Sequence, residues 1–443
     1  MDARTKTAAA LLFTTLALAN ATPSVLAQDP LRDVSAEQAT DVRVARLVRN
    51  LGSPSFNARS AADRELSDLG TAARKQIEIA SRSSDPEVRM RASRLLRRLK
   101  VAAMWHGSSV DLQATDVTAE QIVEQLRKQT GNRIAAGDQY GAFRPGKVSL
   151  AAGEQTFWQV VDQVCHQTEN RFRPNYGSGP AGWVLVAGES GNYPVAYAGP
   201  VRARITSARR LFVEEFNYRD GKSDVSHTLQ MNMRLSWEDR FRLVAYRSQL
   251  EVARGLDDQG GETTGVAVAE DDWSLFEGGR HQLKMAVRLR PPQVSAKQLQ
   301  TLTLRWPVIA VGDMATLETE NMAEEKSFQQ GDASLVIEQT RQRGSQWEVT
   351  VSVTRDLAVP EPREILFLEN EFELVDDEGE SHRAHNTTKL GITGSTARLK
   401  LIFATNSPGR KASKLRMHFP QIRDERDLMI PFRDVPLPRA EPE

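Results

Sequence analysis

At 443 residues the chain is long enough for several domains with their own cores. Its 58 Lys and Arg balance 58 Asp and Glu, which excludes a chain-wide electrostatic bias toward nucleic acid or membrane. Cys165 is the only cysteine, which excludes an intramolecular disulfide and leaves stability to packing.

Residues 1–27 open with Arg4 and Lys6, continue as an apolar run over 7–21, and end on small residues at Val25 and Ala27 before Gln28. This pattern predicts a secretory signal, followed by a linker over 28–40. The run is shorter than the roughly 20 residues that span a bilayer, and no later stretch is longer. The mature chain is therefore expected to be soluble and exported to the periplasm or beyond, with no transmembrane segment. The cleavage site lacks a cysteine, which argues against a lipid anchor.

A helical segment is predicted over 41–104. Val44, Leu47, Val48 and Leu51 form one apolar stripe, and Phe56, Ala62, Leu66 and Leu69 form another after the Ser53-Pro54 cap and before Gly70. A third helix covers 72–80, and Asp85-Pro86-Glu87 caps a fourth that buries Val88, Ala92, Leu95, Leu96 and Leu99. The phrase Asp85-Pro-Glu-Val-Arg-Met-Arg-Ala-Ser-Arg-Leu-Leu96 resembles the second half of a HEAT-type repeat. Three or more repeats normally make an independent solenoid, and fewer than two fit here, so the resemblance implies a small cap or adaptor. Arg91, Arg94 and Arg98 share one face of the last helix. They could meet an anionic surface, although a solvated face partly neutralised by Glu87 is the simpler reading, and no interleaved aromatics support nucleic acid.

A module over 105–190 contains an internal repeat. At an offset of 38, residues 110–132 and 148–170 agree at ten positions: Val110/Val148, Leu112/Leu150, Ala114/Ala152, Thr118/Thr156, Gln121/Gln159, Val123/Val161, Gln125/Gln163, Gln129/Gln167, Thr130/Thr168 and Asn132/Asn170. Each copy opens on an alternating apolar pair, predicting a short half-buried strand. An amphipathic helix follows, started by Thr118 with Gln121 and by Thr156 with Gln159 at capping-box spacing. Strands near 133–136 and 182–187 complete two halves whose helices share one face of a small sheet. Cys165, opposite Arg127 in the repeat, is expected to be half-buried and inert.

The stretch Val110-Asp-Leu-Gln-Ala-Thr-Asp-Val-Thr-Ala-Glu-Gln-Ile-Val-Glu-Gln-Leu-Arg-Lys-Gln-Thr-Gly131, then Val148-Ser-Leu and the second helix through Thr168, resembles the short N-terminal (STN) domain of secretins and TonB-dependent receptors. The resemblance covers under a fifth of the chain. It implies a non-catalytic docking unit for protein partners in the cell envelope, not the transport functions of either family. Gln125, Lys128 and Gln129 on the first helix, with Gln163 and Gln167 on the second, are the candidate partner-binding residues, unless their repetition records only duplication of a stable fold.

After a Gly-, Pro- and Tyr-rich linker at 191–200, strict alternation sets in. Leu229, Met231, Met233, Leu235 and Trp237 form one series, and Leu283, Met285, Val287 and Leu289 another. Trp347, Val349, Val351 and Val353 repeat the pattern, as do Ala397, Leu399, Leu401 and Phe403. Leu250-Glu-Val ahead of Asp257-Asp-Gln-Gly260 matches Phe372-Glu-Leu ahead of Asp376-Asp-Glu-Gly379. The pattern predicts tandem antiparallel immunoglobulin-like β-sandwiches at 201–318 and 319–438, with a tail at 439–443, or else a single larger sandwich. The expected class is thus multidomain α+β.

No catalytic residue, cofactor or metal is expected. Asp376, Asp377, Glu378, Glu380, His382 and His385 have ligand-type side chains, but on a strand the two histidines would face opposite sides. Asp271-Asp272 gives no reason to expect carboxyls held across a cleft. Trp237, Trp306 and Trp347 continue apolar faces and are expected in cores. A non-enzymatic envelope protein that docks other macromolecules is the leading expectation. A secreted carbohydrate-active or metal-dependent enzyme, or a surface-layer component, are the alternatives.

Overall fold

The computed structural model describes residues 41–138, 140–175, 182–266, 272–276, 281–355, 370–404 and 409–439. The expected signal (1–27), the linker at 28–40, Asp271 and the tail beyond Arg439 lie outside them. The described chain is mostly β. It divides into two compact units between Leu96 and Arg97.

The first unit contains α1 (residues 41–50), α2 (Phe56–Leu69), a 3-10 turn (Gly70–Ala73), α3 (Arg74–Ala80) and the first half of α4 (Pro86–Trp105). The Ser55 side chain accepts from the Ala58 amide to cap α2, and Asp85 accepts from the Glu87 and Val88 amides at the start of α4. Val44, Leu47, Leu51, Leu66, Ile77 and Leu95 are buried. No helix among the described residues is long and apolar enough to cross a membrane.

In the second unit the repeat folds as two interdigitated copies. One supplies β1 (Ser109–Asp111), β2 (Ala114–Thr118), α5 (Ala119–Thr130) and β3 (Ile134–Ala136). The other supplies β4 (Lys147–Leu150), β5 (Glu154–Thr156), α6 (Phe157–Thr168) and β6 (Asn170–Pro174), followed by β7 (Trp183–Ala187). Each copy pairs with the other: β1 with β5, and β2 with β4. The exchange continues at the helix starts, where the Ala119 amide donates to the Gly146 carbonyl and the Phe157 amide to the Ser108 carbonyl, each at 3.0 Å. Both capping boxes form as the spacing predicts. The helices share one core with Val110, Leu112, Val148, Leu150 and the tryptophans Trp158 and Trp183. Instead of one small sheet there are three, the third ordered β3-β7-β6.

The remaining strands build two further large cores, beside a small cluster of Val244, Ala245, Ile309 and Val311. The first rests on a four-stranded sheet ordered β14-β10-β9-β8, from β8 (Val195–Ala198), β9 (Val201–Asn217), β10 (Lys222–Trp237) and β14 (Gln282–Leu289). β8 falls within the segment expected as a linker. Opposite lie β11 (Arg242–Arg247), β12 (Glu251–Asp257), β13 (Trp273–Leu275) and β15 (Gln298–Glu318). The second core gathers β16 (Ser327–Gln330), β17 (Ala333–Arg343), β18 (Gln346–Arg355), β19 (Glu371–Asp376), β20 (Ser381–Thr393), β21 (Thr396–Ala404) and the start of β22 (Ala412–Pro436). β15 and β22 pair continuously from Gln298↔Pro436 to Glu318↔Arg416. Leu428, Ile430, Phe432 and Val435 of β22 therefore enter the first core, across the boundary expected at residue 318.

The two acidic turns match bond for bond. Asp257 Oδ1 accepts from the Gln259 and Gly261 amides, as Asp376 Oδ1 accepts from those of Glu378 and Glu380. Gly260 (φ 81°) and Gly379 (φ 86°) supply the left-handed residue that each turn needs.

Candidate functional site

The repeat module is fastened to the first β core by buried polar groups. Glu238, fully buried after the end of β10, accepts from the Ser108 amide at 2.7 Å, Asn132 Nδ2 at 2.8 Å and Arg240 Nε at 2.9 Å, and also from the Ser108 hydroxyl. Trp158 Nε1 donates to the Pro200 carbonyl at 2.9 Å, and Trp183 Nε1 to that of Trp237 at 3.2 Å. The Glu238 carboxylate and the two indole N–H groups, all taken out of water at this joint, each have a partner in the protein.

Beside the joint, α6 and β6 meet the outer face of the four-stranded sheet around a cavity of about 380 Å³. Its lining includes Arg171, Arg173, Tyr193, Arg202, Arg204 and Arg234. A groove lined by Arg144, His166 and residues 188–192 adjoins it. Two of these arginines are neutralised. Arg202 Nε meets both oxygens of Asp162, at 2.7 and 3.0 Å, and Asp162 also accepts from Tyr197 at 2.7 Å. Arg173 holds both oxygens of Asp138, at 2.7 and 2.8 Å.

Arg204 and Arg234 are not. They face each other across β9 and β10 in direct register, both half-buried, and neither makes an ion pair with a carboxylate among the described residues. The Nε of each is buried without a hydrogen-bond partner. Burial first, and then the charges of Arg202 and Arg234, pull the Arg204 pKa below its ordinary value. The Arg204 guanidinium stacks on Tyr193 at 4.4 Å from the ring centroid. Like charges directly opposite on a sheet are unfavourable, and so are buried donors without acceptors. Such an arrangement is what an anion with several acceptor oxygens would relieve.

The positive row continues onto β14, where Lys284 lies opposite Arg234. A bulge at Thr206 resets the alternation of β9, so that Arg209 stands opposite Gln230, and Gln230 opposite Arg288. Around these cations, residues 195–211, 228–237 and 282–290 contain no Asp or Glu, and the acids of β9 and β10, Glu214, Glu215 and Asp224, come only further along the two strands. Chain neutrality hides this face, because its cations sit at alternate positions of three strands. The missing acids were the available signal.

The residues singled out from sequence lie elsewhere. Gln129 Oε1 accepts from the Asp111 amide while its Nε2 donates to the Asp111 carbonyl, and Gln167 does the same to Ser149, the repeat counterpart. Gln163 donates to Gln155 Oε1 and the Gln159 carbonyl. Gln125 is exposed, and Lys128 pairs with Glu124 at 3.4 Å. On α4, Arg91 pairs with Glu87 at 2.6 Å, and Arg94 and Arg98 are exposed. Cys165 is 2 % exposed, more buried than expected because it lies in the core that α5 and α6 share, and burial, then Asp162, pushes its thiol pKa up.

Asp376, Glu380 and His382 come together with atoms that could ligate a cation. Asp376 Oδ2 already meets Arg410 at 2.7 Å and His382 Nε2 at 3.0 Å, and Arg410 also pairs with Glu378 and Glu380. The guanidinium occupies the place a metal would take, and the group reads as an ion-pair cluster around a turn. Glu371 lies in another ion pair, with Arg242 at 3.0 Å.

Comparison with known proteins returned no match among family models, curated proteins or solved structures.

Proposed function

We propose that the chain is a non-enzymatic docking protein of the cell envelope that takes hold of an anionic group of its partner between the repeat module and the basic sheet. The observation that carries this reading is the Arg204–Arg234 pair, opposed in register and unneutralised at the cavity. The STN-like resemblance of the module supports docking, and the buried Glu238 joint makes module and sheet one rigid platform for it. Catalysis finds no support at the cavity: Asp162 is engaged by Arg202 and Tyr197, and Cys165 is held in its neutral thiol form by burial. Export rests on the signal-like residues 1–27. The HEAT-like helices are read as a small cap or adaptor, and the two β cores, read as immunoglobulin-like sandwiches, as spacer or second binding surface.

Isothermal titration of the mature chain with citrate and with sulfate, at low ionic strength, tests the reading. Saturable binding that R204Q/R234Q abolishes is expected. Equal heats for wild type and variant would overturn it.

A further inference from the structure

Beyond the cavity, the cations open onto solvent in two rows. The first is Arg204, Arg234 and Lys284, and the second is Arg209 and Arg288 flanking Gln230. Lys284, Arg288 and Arg209 are exposed, whereas Arg204 and Arg234 are half-buried at the cavity. Within a row the strands stand about 4.8 Å apart, and the four residues from Arg234 to Gln230, or from Lys284 to Arg288, separate the rows by ~13 Å.

We infer that this face binds an extended acidic polypeptide segment of the partner, an inference that rests on the anion-docking reading above. Charge complementarity is the ground: five unneutralised or weakly engaged cations outnumber the acids of the cavity lining, Glu189 and Asp162, and Asp162 is already engaged by Arg202 and Tyr197, so the face attracts a polyanion and rejects a basic or neutral chain. An extended peptide with acids at every second position carries its carboxylates along one side at ~6.6 Å intervals, so every second one falls on a row. Arginine forks suit those planar carboxylates. Single-stranded bases gain their contacts by stacking on aromatic platforms. Tyr193 is already stacked on Arg204, and the Tyr197 hydroxyl is engaged by Asp162, which leaves the open rows without one. A bilayer surface cannot reach the half-buried pair, which lines a cavity beside α6.

Fluorescence anisotropy of the mature chain with a labelled alternating Glu-Ser peptide of about ten residues, long enough to cross both rows, tests this. A uronic-acid oligosaccharide, single-stranded DNA of equal charge and anionic vesicles are run beside it. Salt-dependent peptide binding is expected, weakened roughly tenfold or more by R204Q/R234Q and again by R209Q/R288Q, which removes the second row. The second variant alters only exposed side chains, so folding is preserved, and it should leave citrate binding intact. Tighter binding of the oligosaccharide, DNA or vesicles through the same residues would overturn the peptide assignment while the anion site stands. Peptide binding indifferent to R209Q/R288Q would overturn the extended register. If citrate and peptide both fail to bind, the docking reading itself falls.

Discussion

Arg204 and Arg234 stand directly opposite each other on adjacent strands, and the carboxylate closest in charge influence, Asp162, is already taken by Arg202 and Tyr197. Folding thus assembles a repulsive pair and leaves it uncompensated. Proteins tolerate such pairs at sites where stability is exchanged for recognition. The consequence is a specific-ion effect: sulfate should raise the thermal midpoint more than chloride at equal ionic strength, and in R204Q/R234Q that difference should shrink to the general stabilisation sulfate gives by exclusion from the surface. Scanning calorimetry in the two salts reads it.

The Glu238 joint sets the stability of the platform. Glu238→Ala removes the fully buried carboxylate from the Ser108 amide and Asn132, while Arg240, which also donates to the Ser108 hydroxyl and the His106 carbonyl, loses one of its acceptors. Breaking a buried charged network by removing one member costs about 3–5 kcal/mol. Urea denaturation should show a loss of that size, with faster amide exchange in β1 and β3. A loss below about 1 kcal/mol would mean that the module is held by its apolar contacts alone.

The glutamines that the repeat brings forward have a structural duty. Gln129 and Gln167 each clasp both backbone groups of a strand residue, Asp111 and Ser149. Gln129→Ala or Gln167→Ala should lower stability by about 0.5–1.5 kcal/mol per clasp, at the smaller end because both are exposed. Citrate affinity should not change in either variant. A change in affinity would return these residues to the binding surface.

Legibility followed range. The capping boxes at Thr118 and Thr156 were readable because all their atoms lie within three residues, and the alternating strands because burial has period two. The matched turns at Asp257 and Asp376 were readable from their acids and glycines. Glu238 was invisible, since its partners Ser108 and Asn132 lie 130 and 106 residues away. β8 was hidden by four residues of strand in Gly- and Pro-rich surroundings. The basic face escaped because no single strand carries it: Arg204, Arg234 and Lys284 become neighbours only through register. Even Cys165 needed tertiary knowledge, because the core that buries it gathers residues from both copies of the repeat.

At the second acidic turn, pH is the test. The Arg410 guanidinium, then His382 and two backbone amides, hold the Asp376 carboxyl well below the usual carboxylate range, outweighing burial. A carboxyl depressed in the folded state contributes stability in full above its unfolded pKa of about 3.9, and loses it as pH falls toward the folded value. Wild type should therefore exceed D376N in urea midpoint at pH 7, with the gap closing progressively below about pH 4. Calcium or zinc should leave both midpoints unchanged, because Arg410 holds the cation position.

The most direct measurement joins stability and binding in one variant. R204Q/R234Q removes two opposed charges, and relief of a directly opposed like-charge pair on a sheet amounts to about 0.2–1 kcal/mol. The expected result is a higher urea midpoint than wild type together with loss of citrate binding at low salt. A variant that is less stable than wild type and binds citrate as well would show that the pair is structural, and would contradict an anion site between the repeat module and the basic sheet.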